Sequence, residues 1–451
     1  MKIIFEANPM LKGIVGNSVD KFENGDENIH FSRFCITLKN DDGVLVYNTL
    51  VNSMVLLSNE EYDTHKLYNG DLSYLYEKHF LIKDDEYVES MANKIQGYIR
   101  THKPNRNYKT LNTVTILPST GCNAKCFYCF EKGSKIKHMS FETADKVIEF
   151  IKNHYNGRKI RIRWFGGEPL INEKVITYIS EKLIENNIVF ESTMTSNCFL
   201  IKEEKVSTYK DVWNLKRMSV TIDGTEDVYN NIKLFTYNGS AYEKVLKNIE
   251  VLGNNNIRVS IRINVGKHNL DNVEELIKEL APKFKTYKNV SIYLNRLYDN
   301  CDGAPINEEE LSRVYNKVLE MTTLLRKYGK GGSRIKINQP FKTFSCMADS
   351  GNAVMILPDG KLGLCEHYMD ELHIGDVENG ITDFKNVVTS CEQVDKHETC
   401  FNCCLYPTCT KLKVCTGGTL CTKEVNDYSK YYIKRSMMVE YKKYKRNSKN
   451  E

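Results

Sequence analysis

The pattern of apolar and polar positions changes character three times along the 451 residues. Residues 1–110 begin with short apolar runs, and FCITL (34–38) and VLVYNTL (44–50) flank the turn KNDDG to predict a hairpin. Ser58-Asn-Glu-Glu61 predicts a capping box opening a helix, and further helical stretches follow at roughly 71–82 and 84–100. Strands followed by three short helices describe an α+β, winged-helix-like module. The polar segment 101–109, THKPNRNYK, reads as a linker.

Over residues 111–330 short β-rich runs alternate with helical stretches. Strands are predicted at 113–117, 159–165, 188–195, 217–222, 257–265 and 290–295, with helices near 141–155, 173–186, 241–254 and 271–280. This alternation predicts an α/β fold with a parallel sheet, a partial (β/α)6 barrel whose function gathers at the C-terminal strand ends. A long helix (307–329) leads through Gly329-Lys-Gly-Gly332 into a cysteine-rich domain, residues 331–428. There AVMILPDGKLGLC (353–365) predicts a hairpin turning at Pro358-Asp359-Gly360. Residues 429–451 form a basic tail, read as a solvated terminal helix.

Composition narrows the class. With 41% hydrophobic and 27% charged residues the chain is expected to be globular. It has no apolar run of membrane-spanning length, and Glu6 and Pro9 interrupt any signal-peptide core, so a cytoplasmic location is expected and no membrane. The net charge of +5 is concentrated in residues 429–451, where eight Lys/Arg face two Glu. The remainder is close to neutral, which argues against nucleic acid as a partner.

Cysteine changes the picture. Of fifteen, Cys122, Cys126 and Cys129 lie in one short run and nine fall between Cys346 and Cys421; only Cys35, Cys198 and Cys301 stand alone and read as core. In a reducing compartment clustered cysteines are ligands before they are disulfides. Cys122-x3-Cys126-x2-Cys129 follows the first barrel strand, and three thiolates on one loop suit a [4Fe–4S] cluster with one iron left open. A zinc site asks for four ligands in two pairs, and no fourth Cys or His is near in sequence.

This motif resembles that of the radical S-adenosylmethionine (SAM) superfamily. The resemblance implies that the open iron binds SAM, that reductive cleavage gives a 5′-deoxyadenosyl radical, and that this radical takes a hydrogen atom from substrate. Gly166-Gly167-Glu168-Pro169, ending the second predicted strand, is similar to the family's SAM-amino-group motif. By the same resemblance Tyr128 packs near the adenine. Thr195, Ser196, Asn197, Asp223, Arg262 and Asn264, at the following strand ends, are ribose, carboxylate and substrate contacts, each also explicable as a turn residue or strand cap.

Cys346-x13-Gly360-x4-Cys365 followed by Cys400-x2-Cys403-x5-Cys409-x5-Cys415-x5-Cys421 is similar to the SPASM extension of these enzymes, which holds two auxiliary [4Fe–4S] clusters. Three [4Fe–4S] clusters and SAM are thus the implied cofactors. By analogy Cys346, Cys365 and Cys415 share one cluster, and Cys400, Cys403, Cys409 and Cys421 hold the other. The Cys409–Cys415 gap is longer than the family's, Cys415 and Cys421 are exchangeable, and Cys391 and Cys404 are spare. A zinc ribbon on Cys400/Cys403 and Cys409/Cys415 is the metal alternative.

The implied activity is that of a peptide maturase acting on a ribosomally synthesised precursor, most simply forming a thioether from a cysteine sulfur to carbon. The N-terminal module either binds the precursor's leader as an added strand or caps the barrel. Alternatives are an anaerobic sulfatase maturase forming formylglycine, carbon–carbon crosslinking or epimerisation, and a non-enzymatic electron-transfer protein. The implied reductant is a flavodoxin or ferredoxin. Asp349, Glu366 and His367 lie near auxiliary ligands and could take a proton, though each reads first as a surface residue; no catalytic acid or base is assigned.

Overall fold

The computed structural model describes residues 1–17, 29–64, 69–102, 108–237, 239–297, 307–331, 336–344, 346–366, 372–383, 398–410, 421 and 423–448. Cys301, Cys391, Cys415 and His367, together with most of the expected linker, lie outside them.

The first hundred residues form an α+β unit. Strands β1 (Lys2–Phe5), β3 (Cys35–Asn40), β4 (Gly43–Asn48) and β5 (Ser53–Leu57) make an antiparallel sheet in the order β1-β5-β4-β3, while β2 (His30–Phe31) pairs with β6 (Leu81–Ile82). The expected hairpin is β3–β4, in register from Cys35↔Asn48 to Asn40↔Gly43. The expected capping box is present. Ser58 Oγ accepts from Glu61 N (3.1 Å) and the Glu61 carboxylate accepts from Ser58 N (2.6 Å). Neither β1 nor the helix Pro9–Val15 is legible in the sequence pattern.

Six strands build the central sheet: β7 (Thr113–Ser119), β8 (Ile160–Gly166), β9 (Phe190–Thr195), β10 (Leu215–Thr221), β11 (Arg258–Val265) and β12 (Val290–Arg296). All neighbours are parallel and lie in sequence order. Pairing register explains why this is a partial barrel. Ile116, Trp164, Met194, Met218, Val259 and Val290 line up in one row across the strands, all buried beneath the helices. Adjacent rows on the opposite face read Thr115-Arg163-Thr193-Arg217, Thr195-Ser219-Ser260-Ser291 and Thr221-Arg262-Tyr293. A parallel sheet covered on both sides would be apolar on both. Here one face is apolar and the other polar, so the sheet curls round a polar lumen instead of closing on a packed centre.

The cysteine-rich region continues this sheet. Strand β13 (Ala353–Ile356) adds parallel to β7, in register from Ala353↔Thr113 to Ile356↔Ile116. It turns into β14 (Lys361–Gly363), the expected hairpin, and β15 (Gly375–Asp376) and β16 (Gly380–Ile381) follow antiparallel.

The basic tail differs from expectation. It belongs to a long helix, Lys423–Asn447, whose Ile433, Met437 and Tyr441 are buried against Ile36, Leu45, Tyr47, Met54 and Leu56 of the N-terminal sheet. Its opposite side carries the lysines. The other face of the same sheet packs on Leu75, Tyr76, Phe80 and Leu81. Apolar spacing, diluted by eleven Lys, Arg, Asp and Glu in 25 residues, hid the buried stripe. Among the described residues no helix is long and apolar enough to cross a membrane.

Candidate active site

Strand β7 delivers the chain into the loop bearing Cys122, Cys126 and Cys129 at the C-terminal edge of the sheet. The loop is tied down by backbone bonds. Glu168 N donates to Gly121 O (2.9 Å), Gly167 N to Ser119 O (3.2 Å) and Lys125 N to Lys233 O (2.8 Å). The glycines of the Gly-Gly-Glu-Pro turn serve this approach. A Cβ on Gly166, which has φ +115°, would stand 2.2 Å from Ser119 O, and one on Gly167 2.5 Å from Thr120 O. The atoms that come close to both glycines are the backbone beginning the cysteine loop.

Glu168 is fully buried at the end of β8. Its carboxylate accepts from Ser196 Oγ (2.9 and 3.1 Å), Asn197 N (2.7 Å) and Leu170 N (3.1 Å). Burial pushes its carboxyl up to about 7, against the lowering effect of the Asn197, Leu170 and Ser196 donors. None of these three donors is a cation, which makes this a carboxylate able to take an ammonium group. Asn197 also reaches the cysteine loop, its Nδ2 donating to Asn123 Oδ1 (2.7 Å) and lying 3.8 Å from Cys122 Sγ. Pro169 opens the short helical turn behind Glu168.

Tyr128 sits in a second buried network. Its hydroxyl donates to Asp223 Oδ2 and accepts from Lys233 Nζ (2.8 Å), which also reaches Thr221 Oγ1 (2.7 Å) and pairs with Asp223 (3.0 Å). Asp223 further accepts from Asn264 N (2.7 Å), locking the ends of β10 and β11 together. Burial, the largest single influence, would lower the Lys233 ammonium; Asp223 first, with Cys126, Tyr128 and Tyr229, together outweigh it and hold the group above its ordinary range. Burial and then Asp223 raise Tyr128 likewise. Asp223 therefore faces protein partners, not only the lumen, whereas Arg262 lies in the polar row of the inner face.

Sequence reasoning missed Lys233 and His268. The first ends the short helix Glu226–Lys233, whose eight residues left little periodicity to read. His268 follows β11 edge-on to Phe127 (5.0 Å between ring centres) and near Tyr128 (6.1 Å). Both its ring nitrogens are buried without a hydrogen-bond partner, and so is Asn264 Oδ1.

The three thiols fit an iron–sulfur cluster by donor chemistry. Burial, then the charge of Glu168 and of the other two thiols, pushes Cys122 up to about 12; burial pushes Cys129 up to about 11. Unmetallated, Cys122 and Cys129 keep their protons, and a cluster is what would hold them as thiolates. The second set divides in two. Cys346 packs on the barrel core, and its neighbour Met347 touches Thr115 and Arg163 of the inner face (3.5 and 3.4 Å). Cys365 follows β14, beside Glu366, which lies 3.8 Å from Arg163. Cys400, Cys403 and Cys409 instead pack against the N-terminal unit, and Cys403 feels the charges of Cys421 and Cys400. Cys404 points the other way, buried beside Tyr47 and Ile433 and pushed up to about 12 by that burial. Cys35 and Cys198 are core-packed as expected. Asp349 is buried, not a surface residue.

Residues 116–280 match the Radical SAM superfamily. The chain is 30% identical over 250 residues to an uncharacterised protein of Methanocaldococcus jannaschii, covering 54% of this chain and 81% of that one. It is 24% identical over 405 residues to the radical SAM cyclopropyl synthase TigE of Paramaledivibacter caminithermalis, covering 78% and 82%. Among solved structures, native anSMEcpe with bound AdoMet and Kp18Cys peptide superposes with a TM-score of 0.57 at 16% identity, covering 73% of this chain and 99% of that chain. Fold, cysteine loop and family match agree, and the chain belongs to the radical SAM superfamily of SAM- and iron–sulfur-dependent enzymes.

Proposed function

We propose that this enzyme matures a ribosomally synthesised precursor peptide, most specifically by joining a cysteine sulfur to a carbon as a thioether. Cys122, Cys126 and Cys129 would hold the SAM-binding cluster. Cys346 and Cys365 would serve one auxiliary [4Fe–4S] cluster, with Cys415, and Cys400, Cys403, Cys409 and Cys421 the other. When bound, SAM and the clusters supply hydrogen-atom abstraction and one-electron transfer.

The remaining work falls to the chain. Glu168 accepts the SAM ammonium while Ser196 and Asn197 fix its carboxylate. Tyr128, held by Asp223 and Lys233, keeps the cysteine loop in place. Arg262 offers the inner face a cation for a carboxylate.

The observation that carries the peptide reading is the pairing of β13 with β7. It sets the Cys346–Cys365 segment beside the strand that ends in the cysteine loop. anSMEcpe, bound to a peptide in its crystal, shares this fold. Cys404, turned into the core, leaves the eighth auxiliary position to Cys391 or to substrate sulfur. Exposed Lys125, Lys135 and Lys137 around the loop suit an acidic flavodoxin or ferredoxin as reductant, in the cytoplasm.

The test is anaerobic incubation with SAM, dithionite and peptides from short cysteine-containing reading frames beside the gene. The expected product has lost a hydrogen pair and a free thiol. A peptide whose cysteine is converted to formylglycine, or one left unchanged while SAM is consumed, contradicts the thioether reading.

A further inference from the structure

The N-terminal unit and the second cysteine group lie 300 residues apart in sequence yet share one apolar cluster: Leu11, Phe34, Leu50, Ile95 and Ile99 pack with Cys400 and Tyr406, and Cys403 and Cys409 lie against them. The turn carrying these cysteines has almost no regular structure of its own. Among its described residues, 398–410, it forms two three-residue helical turns, Glu398–Cys400 and Tyr406–Thr408. Such short turns leave carbonyls unpaired and cannot fix thiol positions by themselves.

Helix Asp85–Thr101 supplies what is missing. Its buried side is apolar (Val88, Met91, Ala92, Ile95, Ile99) except for Gln96, which is 3% exposed. Gln96 Nε2 stands 2.6 Å from Tyr406 O, 3.3 Å from Pro407 O and 3.0 Å from Cys409 O. One amide nitrogen with two hydrogens thus gathers three carbonyls of the turn. One helical turn earlier, Asn93 Oδ1 accepts from the Tyr406 hydroxyl (2.8 Å). Thr49 Oγ1 donates to Cys404 O, and Arg33 to Phe401 O, so the anchoring runs along the whole segment from 401 to 409.

We infer that Gln96 is a positioning residue for the thiols of Cys400, Cys403 and Cys409, and that the N-terminal unit is a built-in wall of this cysteine site. The inference rests on the reading that these cysteines hold an iron–sulfur cluster. A polar side chain on an otherwise apolar buried helix face is kept where it meets buried hydrogen-bond acceptors. It follows that removing residues 1–101 disrupts the cysteine site itself and cannot report on peptide binding alone.

The experiment uses the full chain, reconstituted anaerobically, in the background Cys122→Ala/Cys126→Ala/Cys129→Ala, where only auxiliary clusters contribute to the spectrum. Iron content and the electron paramagnetic resonance of the dithionite-reduced protein are compared for Gln96, Gln96→Leu and Cys403→Ala. Gln96→Leu should lose about half of the auxiliary iron, four of roughly eight, and should weaken or shift the signal that Cys403→Ala removes. With the three cysteines restored, SAM binding by equilibrium dialysis should be unchanged. Wild-type iron and an unchanged spectrum in Gln96→Leu, with Cys403→Ala depleted, would overturn the inference. A background that takes up no iron would sink the reading beneath it. Should Gln96→Leu fail to fold, Gln96→Asn withdraws the amide by one methylene; it should fold and shift the same signal, and an unshifted signal also overturns the proposal.

Discussion

The ammonium of Lys233 stands 2.8 Å from the phenol oxygen of Tyr128 and 3.0 Å from Asp223, so a buried cation on one helix end holds the aromatic that lies between Cys126 and Cys129. Lys233 and Asp223 are both essentially inaccessible. Removing one partner leaves the other charge buried and unpaired, at a cost of about 3–5 kcal/mol. We expect Lys233→Met to lose about that much in chemical denaturation and Lys233→Met/Asp223→Asn to recover most of it. A double variant that loses as much as Lys233→Met and Asp223→Asn summed would show that the pair is not coupled.

Glu168 gives the pH dependence. Its carboxyl is raised from 4.5 to about 7 by burial, so between these values the folded chain holds a proton that the unfolded chain releases. Stability present at low pH is therefore lost as pH rises through about 7, by up to about 3 kcal/mol. A bound ammonium reverses the preference: SAM binding should strengthen from pH 6 to 8. Denaturant titrations with and without SAM check this, and a SAM-free stability that climbs over that range would refute the assignment.

Gly167 tests the cysteine loop's mooring. A Cβ there would stand 2.5 Å from Thr120 O and 2.6 Å from Gly121 O, both backbone atoms that cannot swing aside. Gly167→Ala should destabilise the chain by about 1–3 kcal/mol and lower the iron bound by Cys122, Cys126 and Cys129, measured in a chain lacking the auxiliary cysteines. Full iron with an unchanged melting temperature would show that the loop does not depend on this approach.

The C-terminal helix is expected to be structural. Met437 is fully buried against the N-terminal sheet, so Met437→Asp should destabilise by several kcal/mol, on the order of 3 or more. Lys445, paired with Asp42 at 2.8 Å on the surface, should matter by less than about 1 kcal/mol when changed to Ala. Thermal melts of the two variants separate a packed helix from a solvated tail.

The barrel was legible because its strands alternate in sequence as well as in space: KIRIRWF and RVSIRINV each put Ile, Trp or Val on one face and Arg, Ser or Asn on the other. The cysteine loop and Gly-Gly-Glu-Pro turn were legible because their residues are contiguous. What escaped was assembled across distance. Lys233 reaches Tyr128 from 105 residues away and Gln96 reaches Tyr406 from 310, and neither pairing leaves a local pattern. The buried stripe of the last helix was masked by the charged residues interleaved with it, Lys434 and Arg435 before Met437 and Glu440, Lys442 and Lys443 around Tyr441.

The most direct test of the account is SAM cleavage by the reconstituted enzyme. Protein holding about twelve irons, four for each of three cubanes, should release 5′-deoxyadenosine when given SAM and dithionite. Ala at Cys122, Cys126 and Cys129 should abolish that release while leaving the auxiliary iron in place. Wild-type protein metallated at those three cysteines that yields no 5′-deoxyadenosine would contradict it.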